Sequence, residues 1–355
     1  MFFLSKDLVV LNNRIYFYYF FWYNWYGDGM NKKTVALIIS LLTILLVVFF
    51  FINTKKEYKT NMYYMDTYIY VKLYSKKDAS EVLKKIDDIY KEYHSLTDRY
   101  NHYDGIVNIY DIYHNTLSDN ELIIDSKLYD MLKYAKEWEE KYPKFSIEIG
   151  STIDVWKKYR DSGEGIPTKE ELDNTKEYTK LVLLGDNKIL NNHPNLDLGA
   201  ISKGYTTEIV GKYLESIGID EYLINAGGNV KVGNNYKKKN YIIGIQSPIK
   251  GEDLIDVIKG NNISVVTSGG YERNYEYDGV TYHHIIDPDT LYPSNNMKSV
   301  TVVTKDSALG DILSTTLFLS SVEEGQEIIK DYDCEAIWYT NDNKIIRSEN
   351  FNKYE

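Results

Sequence analysis

The 355-residue chain is 43% hydrophobic, enough for a sizeable core in one large domain or two modest ones. Its formal net charge of −11 excludes a general nucleic-acid binder, since no basic excess is present to neutralise phosphates; so acidic a chain needs a cation if it handles a phosphate ester. The single cysteine, Cys334, excludes an intramolecular disulfide, a thiolate zinc site and an iron–sulfur cluster.

Residues 1–34 read as an N-terminal extension and cytoplasmic segment, in which Met30-Asn-Lys-Lys-Thr resembles the start of a signal-anchor. The run VALIISLLTILLVVFFFI, 35–52, carries no charge and reaches the lower length limit for spanning a hydrocarbon core of about 30 Å. It is expected to be a transmembrane helix, uncleaved because no small-residue site follows it. Lys32 and Lys33 before it balance Lys55 and Lys56 after it, so charge alone does not orient it. Residues 53–62 read as a linker, 63–345 as one globular unit and 346–355 as a C-terminal tail.

Within that unit TYIYVKLY, 67–74, predicts a strand, and Val82, Leu83, Ile86, Ile89, Tyr90 and Tyr93 recur at helical spacing over 78–94. LVLLGDNKIL, 181–190, predicts a hairpin turning at Gly185-Asp186-Asn187. YIIGIQSP, ISVVTSGGYERNYEYDGVTYHHII and SVTVVTK read as further strands, with Asp278-Gly279 a strong turn. Helices are expected over 307–319 and near 322–331, then a hairpin around Asn341-Asp342-Asn343. CEAIWY reads as a strand in which Cys334 is a small apolar filler. Strands and helices alternate irregularly, which predicts an α+β fold.

Four blocks carry candidate chemistry. In DLGAISKGYTTEIV, 197–210, two glycines let the backbone approach a ligand, and a helix start offers free N–H groups to an anion beside Lys203. A plain strand–turn–helix with a solvated lysine fits the same spacing. NAGGNV, 225–230, places two glycines after an apolar strand, as a tight turn against a ligand or another strand. In TSGGYERNYEYDGVTYHHIIDPDTLYP, 267–293, His284 leads an apolar strand, either as a functional group or as a hydrogen-bonded core residue. In SALGDILSTTLFLSS, 307–321, Asp311 and Thr315 stand four apart on one helix face, so a carboxylate and a hydroxyl project together as hard-oxygen ligands suited to magnesium. An unpaired carboxylate among Leu309, Ile312 and Leu313 would cost several kcal/mol, which implies a partner.

Taken in that order, the four blocks resemble the ApbE family, the FAD:protein FMN transferases, over about residues 60–345. The resemblance implies a magnesium-dependent enzyme that takes FAD and moves FMN to a Thr or Ser hydroxyl of an acceptor protein, releasing AMP. Hydrolysis of FAD to FMN and AMP, or FAD binding without catalysis, stays open. By this resemblance Asp311, Thr315 and the carbonyl of Ala200 hold the metal, and Asp197 and Lys203 match the motif D-L-G-G-x-x-K-G that contacts the flavin nucleotide. Met65 and Thr67 match the M-G-T start; Tyr100, Phe145, Ser146 and Ile285 border the cofactor; and His284 or Asp287 takes the acceptor proton. Asp66, Ser146, Ala200 and Leu291 depart from the family pattern, standing where it has Gly, Asp, Gly and Gly. The resemblance further implies action outside the cytoplasmic membrane on a membrane or extracellular redox protein.

Overall fold

The computed structural model describes residues 31–117 and 119–354, in two units, Met1–Lys56 and Glu57–Glu355. Residues 1–30, most of the expected extension, lie outside the described residues.

The first unit holds helix α1, Lys32–Asn53, which contains the apolar run. Among the described residues no helix is long and apolar enough to cross a membrane, so the expected transmembrane span is not supported; the side chains of 47, 48 and 50–53 fall outside those residues.

The second unit is built on an eight-stranded sheet of order β1-β2-β6-β7-β10-β13-β14-β15. Its strands are β1 Lys56–Tyr64, β2 Thr67–Ser75, β6 Tyr222–Ala226, β7 Asn229–Val232, β10 Ile263–Gly269, β13 Met297–Thr304, β14 Cys334–Thr340 and β15 Ile345–Arg347. From β2 onward each neighbouring pair is antiparallel. Three smaller sheets accompany it: β3 Glu121–Ile123 with β4 Leu183–Gly185 and β5 Lys188–Leu190, β8 Tyr241–Gln246 with β9 Leu254–Gly260, and β11 Asn274–Tyr277 with β12 Val280–His283. Sheet and helices are mixed, as the α+β reading required.

Alternation decides the faces. In β2, Ile69, Val71 and Leu73 point into a core shared with α2, Ser80–Thr97, α4, Ser126–Lys141, and α7, Ser202–Ser216. The central strands β13 and β14 are buried on both faces, and α8, Ser307–Leu319, and α9, Val322–Ile329, cover one of them. Every residue of α8 except Leu309 and Thr315 is buried. Its fully buried Ile312, Leu313, Leu317 and Phe318 each contribute about 1.5–3 kcal/mol, enough to offset the desolvation of one carboxylate on the same helix.

Two expected boundaries shift. The linker at 53–62 is largely β1: Tyr58, Thr60, Met62 and Tyr64 alternate inward, a period-2 pattern masked by its lysines. The expected tail closes the fold, with Phe351 buried under β8 and β9 and Arg347 paired to Asp256 at 2.6 Å.

Candidate functional site

A cleft of ≈ 700 Å³ opens beside α7, α8 and the ends of β2 and β10. Met65, Thr67, Tyr100, Phe145, Ser146, Asp197, Ala200, Lys203, His284, Ile285, Asp311 and Thr315 all line it. Asp287 does not.

The cleft floor is made by the close approach of two helices. A Cβ on Gly204 would stand 2.4 Å from Asp311 Cβ and 2.4 Å from the Ser307 carbonyl, so only glycine admits α8 so near α7. The approach lets the Gly204 N–H donate to Asp311 Oδ2 at 2.6 Å. Gly204 is the third residue of α7, where the N–H has no carbonyl within the helix to serve, and the Asp311 carboxylate caps it. Ala200 precedes the N-cap Ile201, so its carbonyl lies outside the helical ladder. Burial pushes the Asp311 carboxyl up, and Lys203 and the Gly204 N–H oppose the shift. Among the described residues no donor reaches its Oδ1. One turn on, Thr315 Oγ1 lies 3.2 Å from Ser268 Oγ.

The Asp311 carboxylate, the Thr315 hydroxyl and the Ala200 carbonyl form an all-oxygen donor set, which fits a small hard cation. Among the described residues no group of three or more His, Cys, Asp or Glu could hold a metal. With Asp311 as its one carboxylate, this donor set would leave the remaining positions to substrate oxygens and water, the pattern magnesium accepts.

The approach to α7 is held by ion pairs. Asp197 accepts from the Gly199 N–H at 2.8 Å and from Arg99 Nη1 at 3.1 Å. Arg99 also donates to Gly150 O, Asp154 and Asn195 Oδ1. Burial works against its charge, but Asp197 and Asp154 outweigh burial and raise its pKa. Lys203 Nζ donates to Gly199 O at 2.9 Å. Tyr100 stands half-exposed at the mouth, with the Arg99 guanidinium 5.3 Å and Lys157 Nζ 5.6 Å from its ring centroid.

The two candidate bases separate. His284 is half-buried on the wall; burial first, then Arg273, His283 and Lys203, push its pKa down to about 3. Nδ1 lies 3.3 Å from Arg273 O, so the neutral ring donates there and keeps a lone pair on Nε2. Asp287 instead organises the turn after it. Its carboxylate accepts from Asp289 N–H at 2.8 Å and pairs with Lys144 at 3.0 Å, and its carbonyl accepts from Leu291 N–H. Asp287 thus does not line the cleft, and its oxygens are engaged by the turn and by Lys144, which does line it.

The departures have local causes. Asp66 and Leu291, where the family pattern has glycine, both keep positive φ, 54° and 62°. Leu291 holds that strained geometry by burial beside Trp156, whose Nε1 donates to its carbonyl at 2.7 Å. Ser146 Oγ donates to Glu139, which shares Lys136 with buried Glu148; an aspartate there would add a third carboxylate. In NAGGNV, Gly227 at φ 60° turns its backbone against Thr67, where a Cβ would meet Oγ1 at 1.8 Å.

Sequence reasoning missed Arg99, Lys144 and Arg273. It also missed His94, whose Nδ1 accepts from the Met65 N–H at 3.3 Å. Arg99, Lys144 and Arg273 are lone loop residues and His94 sits in the last turn of α2, and none carries a spacing signal, so only the folded chain brings them to the cleft.

Known proteins resemble this arrangement. A relative from Klebsiella pneumoniae (strain 342), named FAD:protein FMN transferase, is 43% identical over 156 residues, 43% of this chain and 48% of that protein. A second of that name, from Treponema pallidum, is 26% identical over 302 residues, covering 78% of this chain and 82% of its own. The chain spans about half the length of the Klebsiella relative and 57% of a Vibrio cholerae one. The crystal structure of the ApbE protein from Thermotoga maritima superposes with a TM-score of 0.76 at 25% identity, covering 84% of this chain and 99% of that one. The flavin transferase ApbE from Vibrio cholerae gives 0.72 at 24%, covering 85% and 100%, a likeness of fold. Residues 65–338 match the ApbE family, which takes in both helices of the cleft floor, and the chain belongs to that family.

Proposed function

We propose that this chain is a magnesium-dependent FAD:protein FMN transferase. The observation that carries the reading is the Gly204 N–H at the start of α7, which fixes the buried Asp311 carboxylate in a cleft that Ala200, Lys203 and Thr315 also line. Asp311, Thr315 and the Ala200 carbonyl would hold the cation, which when bound neutralises charge on the FAD diphosphate. Lys203 adds a fixed positive charge beside it.

The reaction then needs few protein groups. The acceptor Thr or Ser oxygen attacks the FMN phosphorus in line, the bond from that phosphorus to the AMP oxygen breaks, and AMP leaves with the electron pair. The hydroxyl proton passes to Nε2 of His284. In the free cleft this ring is a weak base, because burial first, and then Arg273, His283 and Lys203, disfavour its charged form. A bound diphosphate would offset the cationic part of that cost and so raise its basicity when the substrate is present. Tyr100 and Phe145 supply aromatic and apolar surface for the flavin.

Membrane attachment and a membrane or extracellular redox acceptor belong to the same proposal. Attachment rests on the apolar run and on α1 exposing Leu37, Leu41, Leu45 and Phe49; high-salt and detergent extraction of cell membranes tests it.

The direct test is mass spectrometry of an acceptor co-expressed with the chain. A covalent FMN adduct is expected, lost with Asp311→Ala. Labelling that continues unaltered in that variant removes the assignment.

A further inference from the structure

One turn deeper than the cleft floor, α7 and α8 make a second contact that the proposed chemistry does not use. Glu208 lies four residues after Gly204 and Ser307 four residues before Asp311, so the two helices meet in a ladder of two rungs. At the cleft the Gly204 N–H bonds Asp311; below it the Ser307 N–H donates to Glu208 Oε2 at 2.8 Å. The same oxygen accepts from Lys231 Nζ at 2.9 Å, and Lys231 also donates to the Lys305 carbonyl at 2.9 Å. Ser307 Oγ closes the network by donating to Asn229 Oδ1 at 2.6 Å. Glu208 and Lys231 are only 7% and 5% exposed. Gly211 admits the lysine: a Cβ there would stand 2.4 Å from Lys231 Cε.

A buried ion pair is weak evidence of stability, because desolvation cancels most of its attraction. Its use here is register. Sliding α8 along α7 would take the Ser307 N–H from Glu208 and the Lys305 carbonyl from Lys231, leaving the buried pair short of two partners, so the network favours one alignment.

We propose that Glu208 and Lys231 are positioning residues that fix the register of α8 on α7 and thereby set the affinity of the Asp311 site for its divalent cation. The inference rests on the metal reading of Asp311. Residues that orient metal ligands from outside typically change affinity about 10–100-fold when removed.

The test titrates Mg2+ into the full chain with FAD present, read by calorimetry, beside a thermal melt and FMN transfer. Glu208→Gln should weaken Mg2+ binding about 10-fold, while kcat at saturating Mg2+ stays within about 2-fold of wild type. The double variant Glu208→Leu with Lys231→Met replaces the pair by apolar groups, a change that often preserves or raises stability. It should melt no lower than wild type yet show the same loss of affinity, which separates register from folding. Wild-type Mg2+ affinity in that double variant, with binding lost in Asp311→Ala, overturns the clamp and leaves the proposed function standing. A wild-type chain that binds no Mg2+ overturns the proposed function, and the clamp with it.

Discussion

Gly204→Ala tests the cleft floor most directly. Its Cβ would lie 2.4 Å from both Asp311 Cβ and the Ser307 carbonyl, and 2.9 Å from Asn229 Nδ2. Ordinary contact begins near 3.4 Å, and the carbonyl cannot rotate away. The helices must part by about 1 Å, which stretches the 2.6 Å bond from Gly204 N to Asp311 Oδ2 to a length where no hydrogen bond remains. Overpacking costs about 1–3 kcal/mol, and losing a bond to a carboxylate about 1.5–3 kcal/mol. Alanine returns about 1 kcal/mol of helix propensity. The net loss is about 1.5–5 kcal/mol, several degrees in Tm for a domain of this size. Activity should suffer more, since a 1 Å misplacement costs about 100-fold. The matched control is Gly105→Ala, which meets nothing within 4 Å but sits at φ 82°; it should lose about 1–2 kcal/mol and keep its activity. Thermal melts and FMN transfer to an acceptor decide the matter. A Gly204→Ala chain with wild-type Tm and rate would refute the close-approach argument.

Three further outcomes follow from the geometry. Asp66→Gly relieves a left-handed residue at φ 54° and should stabilise the fold by about 0.5–1 kcal/mol; a lower urea midpoint would count against strain there. Arg99→Met leaves the partly exposed Asp197 and Asp154 without their buried partner and should cost about 1.5–3 kcal/mol, together with FAD affinity; equilibrium unfolding and flavin fluorescence report both. The third concerns pH. Unfolded, His284 takes a proton near its ordinary 6.5, whereas folded it resists until about 3. Between those values the unfolded chain binds more protons, so stability falls as pH falls through that window. His284→Gln should flatten this slope between pH 6.5 and 4.5, with part remaining from His283, which burial also lowers. Identical slopes in the two chains would sink the assignment.

Legibility tracked the range of the interaction. α8 was read with its observed bounds because one helical face carries Asp311 and Thr315 and the rest is apolar, a pattern contained in thirteen residues. The turns at Gly185-Asp186-Asn187 and Asp278-Gly279 were equally local, each set by residues that tolerate positive φ. β1 is hidden in the sequence because Glu57, Lys59 and Asn61 occupy its outer face and Lys56 opens the inner one, which disguises the alternation of Tyr58 and Met62. The ion pair of Asp287 is hidden for a related reason: a carboxylate three residues after a histidine reads as a catalytic partner, and its partner Lys144 stands 143 positions earlier in the chain.

The two glycine departures carry the argument one step further. Asp66 and Leu291 keep positive φ although each side chain makes that backbone unfavourable. The shape of the turn, rather than the residue, is therefore what the cleft needs. At 66 the turn aims the carbonyl at Arg273 Nη2, 2.8 Å away, and that arginine's own carbonyl accepts from His284. Arg273 thus links the Met65–Thr67 corner to the imidazole, through its guanidinium at one end and its carbonyl at the other. Altering the turn at 66 should therefore be felt at His284.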